Sequence, residues 1–99
     1  MKIWVDDIRT EPEGYVRCKS TNDTISLISR TLNNCLPIEL IDLDHDAGDY
    51  ASAGGDYVNI LNWLEENNFL IPIRIHSMNP VGVQNMRNII KRNNWVEVN

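Results

Sequence analysis

Much that would decide a function is missing from this chain of 99 residues. No apolar run approaches the roughly 18 residues that a membrane-spanning helix needs. The opening MKIWVDD runs into Asp6 and Asp7 directly after Val5, so it lacks the apolar stretch and cleavage site of a secretory leader. A cytoplasmic location is the expectation. Cysteine is scarce: Cys18 and Cys35 lack the close spacing of a redox or zinc motif and are expected to be two reduced core thiols. There is no basic excess, since nine Lys and Arg stand against 14 Asp and Glu, a net charge of −5. That balance argues against broad nucleic-acid binding, which needs a basic face to neutralise phosphates. Repeats, linkers and low-complexity tracts are also lacking, so one domain over residues 1–99 with one core is expected.

What is present is organised around Leu36 to Gly48, LPIELIDLDHDAG. Ile38, Leu40, Ile41 and Leu43 have the length and branching of a buried strand, and Ala47-Gly48-Asp49 is a turn signal bounding it. Asp44, His45 and Asp46 then sit at its carboxyl end. The N-terminal segment repeats this pattern: strand Lys2 to Val5, then Asp6-Asp7. The acidity is local, because Ile41 to Asp56 holds five Asp and no Lys or Arg. A divalent cation, or a small phosphorylated ligand held through one, fits such a segment.

Between these strands, Ile8 to Gly14 is too short and too broken by Pro12 and Gly14 for a crossover helix, and Tyr15 to Lys19 reads as the next strand. Ser20, with Asp23 three residues on, predicts the start of a helix with Thr21, Thr24, Ile25, Ile28 and Leu32 on one face; Asn33-Asn34 ends it. After the loop Gly48 to Gly55, Asp56 is the expected cap of a second helix running to about Asn67, with Tyr57, Ile60, Leu61 and Leu64 inward. Pro72 to His76 is a strand, and Asn79-Pro80 reads as N-cap and first residue of a third helix with Met86, Ile89, Ile90 and Val83 inward. Trp95 to Val98 is the candidate last strand. Alternation of this kind predicts an α/β fold, a three-layer, doubly wound, mostly parallel sheet. Ligands of such sheets bind beyond the strands' carboxyl ends, so the clusters after Val5, Leu43 and Ile75 should converge at the switch point between the first and third strands.

Asp6, Asp7, Asp44 and Asp46 cannot all stay ionised in one crevice unless something neutralises them. Mg²⁺ would do so through oxygen ligands, and His45 and His76 tilt the choice toward Mn²⁺. The bland alternative stays open: Asp7 pairs with Arg9, Asp46 caps a turn and His45 is packed. Asp42 points to the same side of its strand as Asp44, deeper, with Arg74 as its expected partner. A calcium loop is excluded, since Ala47 stands where Gly is needed and Ala53 where a bidentate Glu belongs. His76 and Ser77 precede a helix start, a natural seat for phosphate: Ser77 and Arg9 can contact phosphoryl oxygens, and His45 or His76 can move a proton.

WVDDIR at Trp4 to Arg9, PEGY at Pro12 to Tyr15, DLDHDAG at Asp42 to Gly48 and HSMNPVG at His76 to Gly82 together make the chain resemble the cyclic-phosphate processing receiver-like family, a divergent branch of the response-regulator receiver fold. The resemblance implies a receiver or flavodoxin-like sheet with the first helix lost, and an action on cyclic phosphates of nucleotides or RNA ends. It implies a site: Asp6, Asp7, Asp44 and Asp46 toward a metal, His45, His76, Arg9 and Ser77 in catalysis, and Arg9, Ser77 and Asn79 on substrate. The expected activity is a metal-dependent phosphoesterase; the alternative is a non-catalytic module binding a cyclic nucleotide or a partner protein. Trp95 to Asn99 holds no lysine, the residue a phosphorylated receiver carries there, so regulated aspartyl phosphorylation is not part of the expectation.

Overall fold

A computed structural model describes residues 1–99. Four strands, β1 (Lys2–Val5), β2 (Tyr15–Cys18), β3 (Leu40–Leu43) and β4 (Ile73–Ile75), form one all-parallel sheet in the order β2-β1-β3-β4. Three helices, α1 (Thr21–Asn33), α2 (Val58–Glu66) and α3 (Pro80–Arg92), follow β2, β3 and β4. The switch point falls between β1 and β3, where Val5 lies beside Leu43, as the strand order required. The expected last strand is reduced to a parallel bridge between Ile73 and Glu97, closed by Ile73 N–H to Val96 O and Val98 N–H to Ile73 O.

The register sorts the strands into two faces. Ile3, Ile41 and Ile73 align in one row and Val5, Cys18 and Leu43 in the next, and all six belong to the core with Ile28, Leu61, Leu64, Met86 and Ile90. Each such side chain, taken from water, stabilises by roughly 1.5–3 kcal/mol. Buried Tyr57 brings a polar tip into this core and satisfies it by donating to Lys19 O at 2.7 Å.

All three helices share that face: α1 packs on α2, and α2 on α3. The cause is topological. The connections β2-α1-β3 and β3-α2-β4 run in the same direction across the sheet, so right-handed crossovers place both helices on one side. The step from β1 to β2 runs the other way and contains no helix. The parallel α/β receiver-like sheet therefore stands as expected, but the second helical layer does not form within these residues. The opposite face carries a polar row instead, Arg17, Trp4, Asp42 and Arg74 in register, with Trp4 Nε1 donating to Arg9 O at 3.0 Å and so pinning the β1–β2 loop.

Helix ends largely follow their local chemistry. Ser20 accepts from Asp23 N–H at 3.0 Å, and Asn79 accepts from Gly82 N–H at 3.0 Å with Pro80 behind it. Asp56 departs from expectation. The cap of α2 is Tyr57, without a side-chain bond, and the Asp56 carboxylate accepts instead from Ala47 N–H at 3.0 Å, closing the loop between them. Cys18 is buried but Cys35 is exposed, so only one of the two free thiols is a core thiol. No helix is long and apolar enough to cross a membrane.

Candidate functional site

The three strand ends at the switch point converge. A carboxylate oxygen from each of Asp6, Asp7 and Asp44 lies within 4.8 Å of those of the other two, because Val5 and Leu43 are register partners and the acids follow them directly. Asp6 is buried. Its Oδ1 accepts from Ile8 N–H at 2.9 Å and Arg9 N–H at 2.8 Å, while Oδ2 lies 2.8 Å from His76 Nε2. Burial opposes its charge, but those backbone donors and His76 outweigh it and hold its carboxyl below the usual range. Asp7 has the reverse balance: burial, with the negative charges of Asp6, Asp44 and Asp49 adding to it, pushes its carboxyl up. Asp7 also packs so tightly on Gly48, a residue in the left-handed region at φ 55°, that a Cβ there would collide with Asp7 Oδ2.

His76 is locked from three sides. Nε2 meets Asp6, Nδ1 lies 2.6 Å from Asp42 Oδ1, and the ring stacks on Trp4 with centroids 3.8 Å apart and planes within 3°. Burial disfavours the imidazolium, yet the hydrogen bonds and charges of Asp42 and Asp6 raise the ring above its ordinary value. The expected acid–base role thus meets a ring whose two nitrogens are both engaged. Asp42, expected beside Arg74, has His76 as its close partner; Arg74 Nε stands at 3.9 Å.

Asp46 does not join the three-acid cluster. Its Oδ1 lies 2.7 Å from His45 Nδ1 and 3.2 Å from Asn79 Nδ2. The bond from His45 is the main reason its carboxyl sits below the usual range, with Asn79 adding to it against a small burial cost. The His45 ring rests on the backbone of Gly82, where a Cβ would come within 2.6 Å of Cδ2 and 2.7 Å of Nδ1.

Between the two groups lies an open cavity of about 380 Å³ lined by Asp7, Arg9, Asp44, Asp46, Ser77 and Asn79, with Ile8, Gly48 and Met78 completing its wall. Arg9 is half exposed and reaches over it, one guanidinium nitrogen donating to His76 O at 2.7 Å and lying 3.9 Å from Asp6. The Asp7–Arg9 pair of the bland alternative does not form; Asp7 and Asp44 have no Lys or Arg within 4.0 Å. Ser77 Oγ accepts from Asn79 N–H at 3.1 Å, tightening the turn into α3.

The model of the cyclic-phosphate processing receiver domain family matches residues 1–92. The chain belongs to this family. Comparison with curated proteins and with solved structures gives no match to either. The receiver-like domain thus carries two strand-end acid clusters on a sheet with a single helical layer. Trp4, Asp42 and Gly82 stand inside the motifs WVDDIR, DLDHDAG and HSMNPVG, but their contacts with the two histidines are not legible in the sequence. Asp42, an acid in the middle of an apolar strand, has Arg74 as its expected partner there, and Gly82 is marked only by closing its motif one turn into a helix.

Proposed function

We propose that this domain is a phosphoesterase that opens a cyclic phosphate of a nucleotide or RNA end with the aid of a divalent cation, Mg²⁺ or Mn²⁺. One observation carries the reading: a single cavity is lined both by carboxylates without a Lys or Arg partner, Asp7 and Asp44, and by the anion-directed donors Arg9 and Ser77. Neither a purely anionic nor a purely cationic ligand satisfies both, whereas a phosphate bound beside a cation does.

The residues fit the cation. Asp6, Asp7 and Asp44 offer hard oxygen donors in mutual reach, and the burial and neighbouring negative charges that together raise Asp7 are offset by a bound positive charge. When bound, such a cation supplies Lewis-acid polarisation of the phosphoryl group and lowers the pKa of water. The protein's own groups do the rest. Arg9 keeps guanidinium N–H groups beyond the one on His76 O and directs them at phosphoryl oxygens. Ser77 accepts from Asn79 N–H and retains its hydroxyl proton to donate to the substrate. Asn79 holds Asp46 through its amide and α3 through its carbonyl, so its contact with substrate competes with those bonds. The His45–Asp46 pair handles the proton: Asp46 faces the cavity, accepts the proton of the attacking water and returns it to the leaving oxygen, and His45 Nδ1 behind it at 2.7 Å holds that carboxylate in place. His76, held at both nitrogens, fixes Asp6 rather than meeting substrate.

A second reading, a module that binds a cyclic nucleotide or partner protein without chemistry, is favoured by one feature: neither imidazole lines the cavity. A screen of cyclic nucleotides and RNA 2′,3′-cyclic ends with Mg²⁺, Mn²⁺ or chelator separates them. The phosphoesterase gives product that chelator abolishes and that Asp44→Asn lowers by roughly a hundredfold or more. Tight binding with no product establishes the module instead.

A further inference from the structure

The largest cavity of the molecule, about 450 Å³, lies elsewhere, along the free edge of β2 where it runs beside α1. Arg17, Lys19, Asp23, Leu27, Arg30 and Tyr50 line it. Arg9, Arg74, Arg87 and Arg92 each have a carboxylate within 4.0 Å; Lys2, Arg17, Lys19, Arg30 and Lys91 have none, and of these Lys19 and Arg30 line this groove while Arg17 borders it from the polar face of the sheet, its Nε donating to Asp6 O at 3.3 Å. In a chain of net charge −5, that is a local reversal of sign. It coincides with a second feature. Cys18 O accepts from Asp6 N–H at 3.2 Å, so Cys18 faces β1 and the peptide groups of Arg17 face outward. β2 has only one neighbour in the sheet, and these outward N–H and C=O groups are a template for another strand.

We propose that this groove binds an extended acidic segment of a partner protein, which adds to the sheet beside β2 through the outward main-chain groups of Arg17 and lays its carboxylates on Lys19 and Arg30. The shape selects a strand. The α1 residues from Asp23 to Arg30 line about 10 Å of helix, running beside about 13 Å of β2, and the main-chain pairing supplies affinity that is independent of sequence. Half-exposed Val16 and Tyr50 and partly buried Leu27 give apolar contact for alternate side chains. A second copy of this chain does not suit the groove, since β2 against β2 would oppose Arg17 and Lys19 to like charges.

Selection of a displayed library of short random peptides on the whole chain tests this. Enriched peptides should be acidic, free of proline and able to slow amide hydrogen exchange at Arg17. Their affinity should fall by about tenfold or more in the double variant Lys19→Glu, Arg30→Glu, where two attractive pairs become repulsive. Arg17→Pro, which removes an outward N–H from an edge strand, should weaken binding similarly; circular dichroism checks its folding, and if it unfolds, exchange at Arg17 in the unaltered chain decides. No enrichment, enrichment without acidic bias, unchanged affinity in the double variant, full displacement by inorganic phosphate, or dimerisation through β2 would each overturn the proposal.

Discussion

His76 joins Asp6, Asp42, Trp4 and Arg9 in the site, and its protonation links the site to stability. The ring is held above its ordinary value by Asp42 and Asp6, against burial. A base whose folded value is raised contributes stability in full below its unfolded value, about 6.5, and loses that contribution as pH rises through the folded value. Asp6 works in the opposite sense: its folded value is depressed, so its contribution is present above about 3.9 and is lost as pH falls through the folded value. The cluster is thus most stabilising between about pH 4 and 6.5 and weakens on the alkaline side as His76 deprotonates. In chelator, the urea midpoint of the native chain should fall as pH rises beyond neutrality, and His76→Gln should flatten that slope; an unaltered slope in the variant contradicts the assignment. At this scale the sequence told half the story. Asp6, Asp7 and Asp44 could be placed together because each follows a strand end, and strand order alone then brings them together. The partners of His76 could not, since Asp42 and Asp6 reach it across 34 and 70 residues of chain and Trp4 reaches it through stacking, none of which leaves a periodic trace.

Among the elements, α3 is the one whose position the site depends on most. Its first turn holds Asn79, which joins the helix cap to Asp46, and Gly82, on which His45 lies. Replacing a helical glycine with alanine ordinarily stabilises by about 0.5–1 kcal/mol. At Gly82 the added Cβ would sit within 2.7 Å of three His45 ring atoms, and overpacking of this kind costs about 1–3 kcal/mol. Gly82→Ala should therefore be net destabilising in urea unfolding and should displace the His45 ring resonances; a gain in stability would show that the contact is loose. Ser20 and Asn79 were legible as caps because capping is a local rule. Asp56 was not, because its carboxylate closes a loop on Ala47, nine residues earlier, leaving Tyr57 to begin α2. The shortfall of the last strand has a similar origin: Trp95 to Val98 has strand composition but only Ile73 to pair with.

For the whole molecule, the loss of a helix between β1 and β2 determines both shape and site. With every crossover helix on one face, the other face is free to carry polar groups through the middle of the sheet, and Asp42 and Trp4 use it to support His76 from below. The sequence showed the missing helix; its consequence, a single helical layer, needed the direction of each crossover. The same architecture gathers acids and anion donors at one end of the sheet while Arg17, Lys19 and Arg30, without carboxylate partners, lie along the β2 edge. The central claim is that one cavity takes a cation and a phosphate together. Calorimetric titration of Mn²⁺ into the native chain and Asp44→Asn, each with and without a non-hydrolysable nucleoside 2′,3′-cyclic phosphorothioate, tests it most directly. The account predicts Mn²⁺ binding that is lost in Asp44→Asn and strengthened about tenfold by the cyclic ligand in the native chain, a coupling of about 1.4 kcal/mol. Mn²⁺ affinity that is indifferent to both Asp44 and the ligand would contradict it.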